Sequence, residues 1–180
     1  MIKKIISIDP GMTVTGWSYG IYQKQYGVLN VDQYGSFKPI AASKKEKEDI
    51  EKYGQRPISL RKVKEELIGL ITKYKPDVFV SEDIFFNPLK PTAVLPLAMY
   101  IGVVELVCLE LQIPLYKIPT RTVKMIVAGT GGADKLMVFE AIKANDQITF
   151  KENKKDLQLI EHISDAVAVE WAWCNLYGSL

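Results

Sequence analysis

The chain has 180 residues, of which 48% are hydrophobic and 24% are charged. This composition is that of an ordinary globular protein and excludes disordered and fibrous classes. We expect a single domain spanning residues 1–180, long enough to bury a sizeable core. The net charge of +2 permits an anionic partner without demanding one. The two cysteines, Cys108 and Cys174, and the lone histidine exclude a disulfide framework and a zinc site of Cys/His spacing.

Two stretches bear on the location of the protein. Asp9 interrupts the N-terminal apolar run too early for a signal peptide. Glu105 and Glu110 make the apolar stretch 92–111 a buried helix instead of a membrane span. These features predict a cytoplasmic protein without a membrane partner.

Three strands are predicted at the start of the chain. The β-branched run 5–8 indicates a buried central strand that delivers Asp9 at its tip, before a turn at 10–11. Residues 16–22 and 27–37 follow as strands joined by short turns, with Gly35 as a candidate bulge. This order is typical of an antiparallel meander.

Helices and two further short strands alternate in the rest of the chain. The mixed-charge segment 38–56 is typical of a solvated helix face or a mobile loop. Strands are predicted at 78–82 and 115–118. Helices are predicted at 57–74, 92–111, 120–127, 133–144 and 156–177. The pattern predicts an α/β fold with a mixed five-stranded sheet, an antiparallel meander plus two parallel strands, flanked by helices.

Acidic residues end two of the predicted strands. Asp9 closes the first strand and Glu82 closes the strand at 78–82, so both acids meet at one edge if these strands are parallel neighbours. His162 and Asp165 lie at positions i and i+3 of the last helix and share one face of it. One alternative is that Asp9 only forms an Asx-turn. For the helix pair, the alternative is a structural role, in which the helix dipole stabilises Asp165 near the N-terminus of the helix and His162 is a satisfied core histidine.

Oxygen ligands without thiolates suit Mg²⁺ or Mn²⁺. Two such ions roughly 3.5–4 Å apart can hold the attacking water and the leaving oxygen of a phosphodiester. The four side chains therefore predict metal-assisted phosphodiester hydrolysis. In this hypothesis Asp9 bridges two ions, Glu82 and Asp165 each hold one, and His162 binds a metal or positions the water.

The order and spacing of several short motifs resemble the RuvC family of Holliday junction resolvases. They are Ile8-Asp9-Pro10-Gly11 with Thr15-Gly16-Trp17, Glu82 followed by Phe85, Val123-Lys124 ahead of Gly129-x-Gly131-x-Ala133-Asp134-Lys135, and His162-x-x-Asp165. The resemblance covers nearly the whole chain. Many family members have Asp-x-x-Asp in the last helix, so His162 is a departure that some relatives share. The charged segment 38–56 is also longer than in typical bacterial relatives.

The resemblance implies an RNase H-like fold and a homodimer that nicks two strands of a four-way DNA junction symmetrically. It implies Asp9, Glu82, His162 and Asp165 as catalytic metal ligands for two Mg²⁺ ions, with Mn²⁺ as a substitute. The excess apolar surface of the helix at 92–111 suggests that a second subunit covers it.

Basic and aromatic residues complete the predicted site. The resemblance implies Lys124 and Lys135 as catalytic, DNA-binding residues near the scissile phosphate; without it they are ordinary surface lysines. Arg121 is a candidate for a further contact with the DNA backbone. Phe85 matches an aromatic residue that stacks on an unpaired base, whereas core packing is its alternative. Segment 38–64 has nine basic residues against four acidic ones, a bias compatible with a phosphate backbone or a surface helix.

Three rival functions share parts of this pattern. An RNase H-like nuclease acting on RNA, flaps or other branched DNA needs the same acids, although the paired lysines favour the resolvase. A phosphotransferase of the actin or sugar-kinase type fits the Asp9-x-Gly11-x-Thr13 turn but needs two such lobes. A non-catalytic junction-binding module has no need of an intact acid set.

Overall fold

A computed structural model describes residues 1–39, 43–83, 94–151 and 161–178 of the chain. Six strands are described: β1 (Ile2–Asp9), β2 (Thr15–Gln23), β3 (Val28–Phe37), β4 (Val78–Asp83), β5 (Leu115–Pro119) and β6 (Ile148–Phe150). Six helices are described: α1 (Lys44–Tyr53), α2 (Gln55–Tyr74), α3 (Val94–Glu110), α4 (Thr120–Ala128), α5 (Lys135–Ala144) and α6 (Glu161–Tyr177). No helix in these ranges is both long and apolar enough to cross a bilayer.

One mixed sheet has the strand order β5-β4-β1-β2-β3-β6. Strands β1, β2 and β3 form the predicted antiparallel meander, and β4 and β5 extend it in parallel. The fold class is therefore confirmed. The sheet also contains a sixth strand, β6, that was not predicted from the sequence. This strand is only three residues long, and it pairs in parallel with β3, which is far away in the sequence.

Helices cover both faces of the sheet with separate hydrophobic clusters. The cluster beneath α4, α5 and α6 includes Ile5 and Val80, whereas the cluster beneath α2 and α3 includes Ile6 and Ile8. Cys108 and Cys174 are buried free thiols, one in each cluster, as their apolar surroundings predict. The fold thus places α6 and the two short helices on one side of the central strand.

The predicted bulge at Gly35 is wrong. Gly35 pairs in regular register with Trp17, whose ring lies against it. The register shift occurs instead between Tyr19 and Gly20, where Asp32 is the extra residue of β3. Glycine suits both a bulge and a close packing contact, so its presence in a strand cannot distinguish them.

Within the charged segment, residues 44–53 form helix α1. Ser43 caps α1 by accepting a hydrogen bond from the backbone N–H of Glu46, whose carboxylate in turn accepts one from Ser43 N–H. Several of its neighbours form ion pairs: Arg61 with Asp49 at 2.6 Å and Lys64 with Glu110 at 3.0 Å. Part of the basic charge of this region is therefore balanced within the protein.

Candidate active site

Strand alternation directs both strand-end acids toward α6. In β1, Ile5 belongs to the cluster under α6, and Ile6 and Ile8 belong to the opposite one. Because successive side chains of a strand point to opposite faces, Asp9 shares the face of Ile5. The same rule places Glu82 on the face of Val80, which also lies in the cluster under α6.

The register of the parallel pair brings the two acids together. Strands β1 and β4 are direct neighbours, with Ile8 opposite Ser81, so Asp9 and Glu82 form the next pair along. The expectation that both strands are adjacent and parallel is confirmed. Glu82 is hydrogen bonded to Asp9 at the edge of the sheet.

Glu82 is electrostatically perturbed. Burial raises its pKa to about 8, and the negative charges of Asp9 and, to a lesser degree, Asp165 act in the same direction. A hydrogen bond with Thr120 acts in the opposite direction. A carboxyl with this environment binds a proton, or a cation in its place, more strongly than an exposed glutamate does.

Thr120 is a site residue that the sequence analysis missed. It begins α4 directly after Pro119, which pairs with Asp83 in the β4–β5 register. Its position is therefore fixed beside the end of β4 and its hydroxyl contacts the Glu82 carboxyl. The available signal was the closure of the strand at 115–118 by proline, which puts the next residue at the same sheet edge as the acids.

The first turns of α6 lie directly against β2. A Cβ atom on Gly16 would be 1.9 Å from the backbone oxygen of His162, so only glycine permits this approach. His162 Nδ1 consequently lies 3.2 Å from Asp9 Oδ2. Asp165, one turn further, lies with its Oδ2 atom 3.7 Å from Lys135 Nζ. The chain thus brings four candidate ligands to one end of the sheet.

Lys135 owes its position to the start of α5. Asp134 caps this helix by accepting a hydrogen bond from the backbone N–H of Met137 at 2.8 Å. The helix therefore begins at Lys135, two residues later than predicted, and its first side chain reaches Asp165.

One cavity of roughly 170 Å³ joins most of the predicted residues. Its lining includes three acids, two lysines and one threonine: Asp9, Glu82, Asp165, Lys124, Lys135 and Thr120. His162 adjoins this lining through Asp9, and the Arg121 side chain packs against Gly131. Phe85 lies outside the described residues. A small concave site with acids and cations converging on it is a candidate for chemistry on a phosphodiester.

Comparisons with known proteins agree with this arrangement. Residues 5–173 match the family model for crossover junction endodeoxyribonuclease RuvC. The chain belongs to the RuvC family. It is 30% identical over 176 residues to RuvC of Finegoldia magna, covering 98% of this chain and 94% of that protein. It is 28% identical over 177 residues to RuvC of Caldicellulosiruptor saccharolyticus, covering 98% and 93%.

Solved structures show the same fold at lower sequence identity. The RuvC structure from Thermus thermophilus has a TM-score of 0.69 and 20% identity, covering 98% of this chain and 96% of that one. The T. thermophilus RuvC complex with a Holliday junction substrate has a TM-score of 0.67 and 19% identity, covering 94% and 92%. Membership of the RuvC family identifies the chain as a crossover junction endodeoxyribonuclease, and it favours this class over the phosphotransferase and the non-catalytic module.

The RuvC family implies dependence on a divalent metal. The donor chemistry of the site fits one, since carboxylate oxygens with one imidazole suit hard divalent cations. The raised pKa of Glu82 beside Asp9 fits as well, because a shared cation offsets the repulsion between neighbouring carboxylates. Within the described ranges, no three Asp, Glu, His or Cys side chains converge closely enough to hold an ion as they stand.

Proposed function

We propose that this protein resolves four-way DNA junctions by paired, symmetric nicks through two-metal-ion phosphodiester hydrolysis. The observation that carries the proposal is the single cavity at the end of β1 and β4, where three acids and two lysines converge. Family membership supports the junction as the substrate, and the T. thermophilus relative was solved with a Holliday junction bound.

Four side chains would hold two Mg²⁺ ions, or Mn²⁺ in their place. Asp9 would bridge them, Glu82 and Asp165 would each bind one, and His162 would bind an ion or position the attacking water. When bound, the ions supply a stronger nucleophile from water and stabilise the charge on the leaving oxygen. The Asp9–Glu82 pair supports this role, because the raised pKa of Glu82 beside Asp9 indicates that positive charge is favoured there.

The lysines have a separate task. Lys124 and Lys135 line the same cavity as the acids. Each ammonium group binds the scissile phosphate and stabilises the negative charge that builds up on it. The ion pair of Lys135 with Asp165, at 3.7 Å, supports a position in which the ammonium faces both the acid and an incoming phosphate.

Two residues are proposed to bind DNA beyond the cavity. Phe85 follows the strand that carries Glu82 in sequence, and we assign it the stacking of an unpaired base at the junction. Arg121 lies one residue from Thr120, on the first turn of α4, and we assign it a phosphate contact.

We further propose a homodimer that pairs through α3. One side of this helix is buried, with Tyr100, Val104 and Val107 in the core. Leu95 and Leu109, on other sides, are 59% and 76% exposed. An apolar surface of this kind fits a second subunit, and symmetric nicking requires two cavities facing one junction.

A cleavage assay tests the substrate and the symmetry together. A labelled four-way junction, a duplex, a flap and an RNA–DNA hybrid are compared with and without Mg²⁺. We expect Mg²⁺-dependent cleavage of the junction only, and linear product from a supercoiled plasmid carrying a cruciform. Preferred cleavage of the flap or hybrid would instead favour another RNase H-like nuclease, and singly nicked plasmid as the only product would contradict paired nicking.

A further inference from the structure

A fully buried acid lies on α6 one and a half turns beyond Asp165. Glu170 has no solvent exposure and is surrounded by the apolar cluster between α6 and the sheet. Its Oε1 atom has no hydrogen-bond partner among the described residues. A Cβ atom on Gly20 would be 2.4 Å from Oε1, so β2 leaves room for this carboxyl by having a glycine there. A carboxyl in such a place is costly to keep and calls for a specific role.

Glu170 begins a chain of three hydrogen bonds. Its Oε2 atom is bonded to the Ser18 hydroxyl on β2. Ser18 Oγ is 2.7 Å from Ser7 Oγ on β1. Ser7 donates to the backbone carbonyl of Ala166, 2.8 Å away. Ser7 and Ser18 are direct partners in the β1–β2 register. The series of hydrogen bonds therefore starts on α6 at Glu170 and returns to α6 one turn away, at Ala166.

The number of hydroxyl protons determines which group is the donor in each of these hydrogen bonds. Ser7 has one hydroxyl proton and gives it to Ala166, a carbonyl that cannot donate. Ser18 must therefore donate to Ser7, and it then has no further proton to donate to Glu170. The remaining bond to Ser18 requires a donor on Glu170, which is a protonated carboxyl. An ionised Glu170 would instead accept a hydrogen bond from Ser18. Ser18 could then no longer donate to Ser7, and either the bond to Ala166 or the bond between the serines would be lost.

Burial supports the neutral form. It raises the pKa of Glu170 to about 8, although the hydrogen bond with Ser18 and the polar backbone of Gly20 act in the opposite direction. The titratable groups whose pKa responds to Glu170 are Tyr19 on β2 and Cys174 on α6, and both are themselves shifted toward the neutral form by burial. Among the described residues, no cation shifts the pKa of Glu170.

We propose that Glu170 is a positioning residue of the active site, which as a neutral carboxylic acid fixes α6 on strands β1 and β2. The last hydrogen bond of this series, from Ser7 to Ala166, lies close to a candidate ligand on each side. Ser7 is two residues before Asp9 in β1, and Ala166 directly follows Asp165 in α6. Holding Ser7 to Ala166 therefore holds the two acids in one relative position. Satisfied buried networks of this kind rigidify what they join.

Its effect on catalysis rests on the proposed function, whereas the protonation state of Glu170 does not. The first experiment is therefore an infrared difference spectrum between the wild type and Glu170→Gln. We expect the carbonyl stretch of a protonated carboxylic acid at pH 7 in the wild type and its loss in the variant. Glu82 is present in both proteins, so its infrared signal cancels in the difference spectrum. A spectrum in which the variant instead loses a carboxylate band at pH 7 would overturn the inference.

The second experiment compares turnover at saturating junction with junction affinity measured without divalent metal. Glu170→Gln retains a donor for Ser18, so we expect its kcat within about twofold of the wild type. Glu170→Leu removes the donor to Ser18, Ser18→Ala removes the donor to Ser7, and both leave the Ser7 hydroxyl less firmly oriented toward Ala166. We therefore expect kcat to fall about tenfold or more with unchanged affinity, because small displacements of reacting groups are costly. If Glu170→Leu fails to fold, Ser18→Ala alone tests the expected fall in kcat.

Cys174→Ala is the matched control, since it removes buried volume from α6 and Cys174 makes none of the three hydrogen bonds. If it lowers kcat as much as Ser18→Ala does, or if Ser18→Ala keeps wild-type kcat, the positioning role is refuted. If the wild type cleaves no junction, the proposed function fails and the catalytic part of this inference fails with it. The infrared spectrum still decides whether Glu170 is neutral.

Discussion

Asp9 and His162 are 153 residues apart in the chain, yet Asp9 Oδ2 and His162 Nδ1 are 3.2 Å apart in the structure. This contact joins the end of the central strand to the first turn of α6. Since Glu82 is bonded to the same aspartate, Asp9 lies between a carboxyl and an imidazole.

Replacement of either strand-end acid should stop the chemistry and leave DNA binding intact. We expect Asp9→Asn and Glu82→Gln to abolish cleavage, because the amides lose the charge that binds metal, whereas junction affinity comes mostly from phosphate contacts. Gel-shift and cleavage assays on one junction measure both. Asp83→Asn, at the next position of β4, is the control and should cleave normally. Wild-type turnover by a folded Asp9→Asn protein would rule out the metal assignment.

The two cavity lysines should affect turnover more than folding. We expect Lys124→Ala and Lys135→Ala to lower kcat by roughly 10²-fold, the cost of losing one donor that stabilises charge in the transition state. Lys143→Ala removes the same charge from the same helix as Lys135, further along α5, and should cleave like the wild type. Equal losses in Lys135→Ala and Lys143→Ala would indicate a general electrostatic effect instead.

His162 should give the pH–rate profile an acidic limb. If it binds metal or positions water, it acts as neutral imidazole, so activity should fall as imidazole protonates in mildly acidic solution. His162→Asp restores the commoner acid pattern of the family and should retain activity while losing that limb. Profiles of both proteins, with melting temperatures alongside, test this. The same limb in both would assign the titration to another group, and a variant that is only destabilised would indicate a packing role.

Glu170 should make stability depend on pH. Its pKa is raised from 4.5 to about 8 in the folded protein, so the folded state holds its proton over this range while the unfolded state releases it. Its contribution to the free energy of unfolding is therefore complete below about pH 4.5 and declines as pH rises to about 8, by at most about 1.4 kcal/mol per pH unit. Denaturant titrations of the wild type and Glu170→Gln measure this. The wild type should lose stability relative to Glu170→Gln as pH rises over this range, and parallel curves would contradict it.

The exposed side of α3 should control assembly. We expect the wild type to sediment as a dimer at micromolar concentration and Leu109→Asp to sediment as a folded monomer, because a charge is then buried in the apolar contact. Tyr26→Asp changes a side chain that is 67% exposed in the β2–β3 turn and should remain dimeric. A monomeric wild type, with and without junction DNA, would refute the proposed dimer.

Local patterns were sufficient to predict the strands that carry Asp9 and Glu82. Each is a short apolar run broken by turn residues or polar residues, and alternation with helices indicated a parallel extension of the meander. The same patterns did not predict β6, because Ile148–Phe150 is held by pairing with β3 and has little signal of its own. Gly35 was misassigned because a glycine that accommodates a ring resembles one that forms a bulge.

The sequence by itself determined which acids stand at strand ends and which side chains share a face of α6, since both follow from the periods of strand and helix. Only the tertiary structure decided how these groups are paired. The bond of Thr120 to Glu82 depends on the β4–β5 register, and the neutral state of Glu170 depends on two serines brought opposite each other by the β1–β2 register. Protonation and hydrogen bonding respond to burial and distance, and neither quantity can be read from residues that are far apart in the chain.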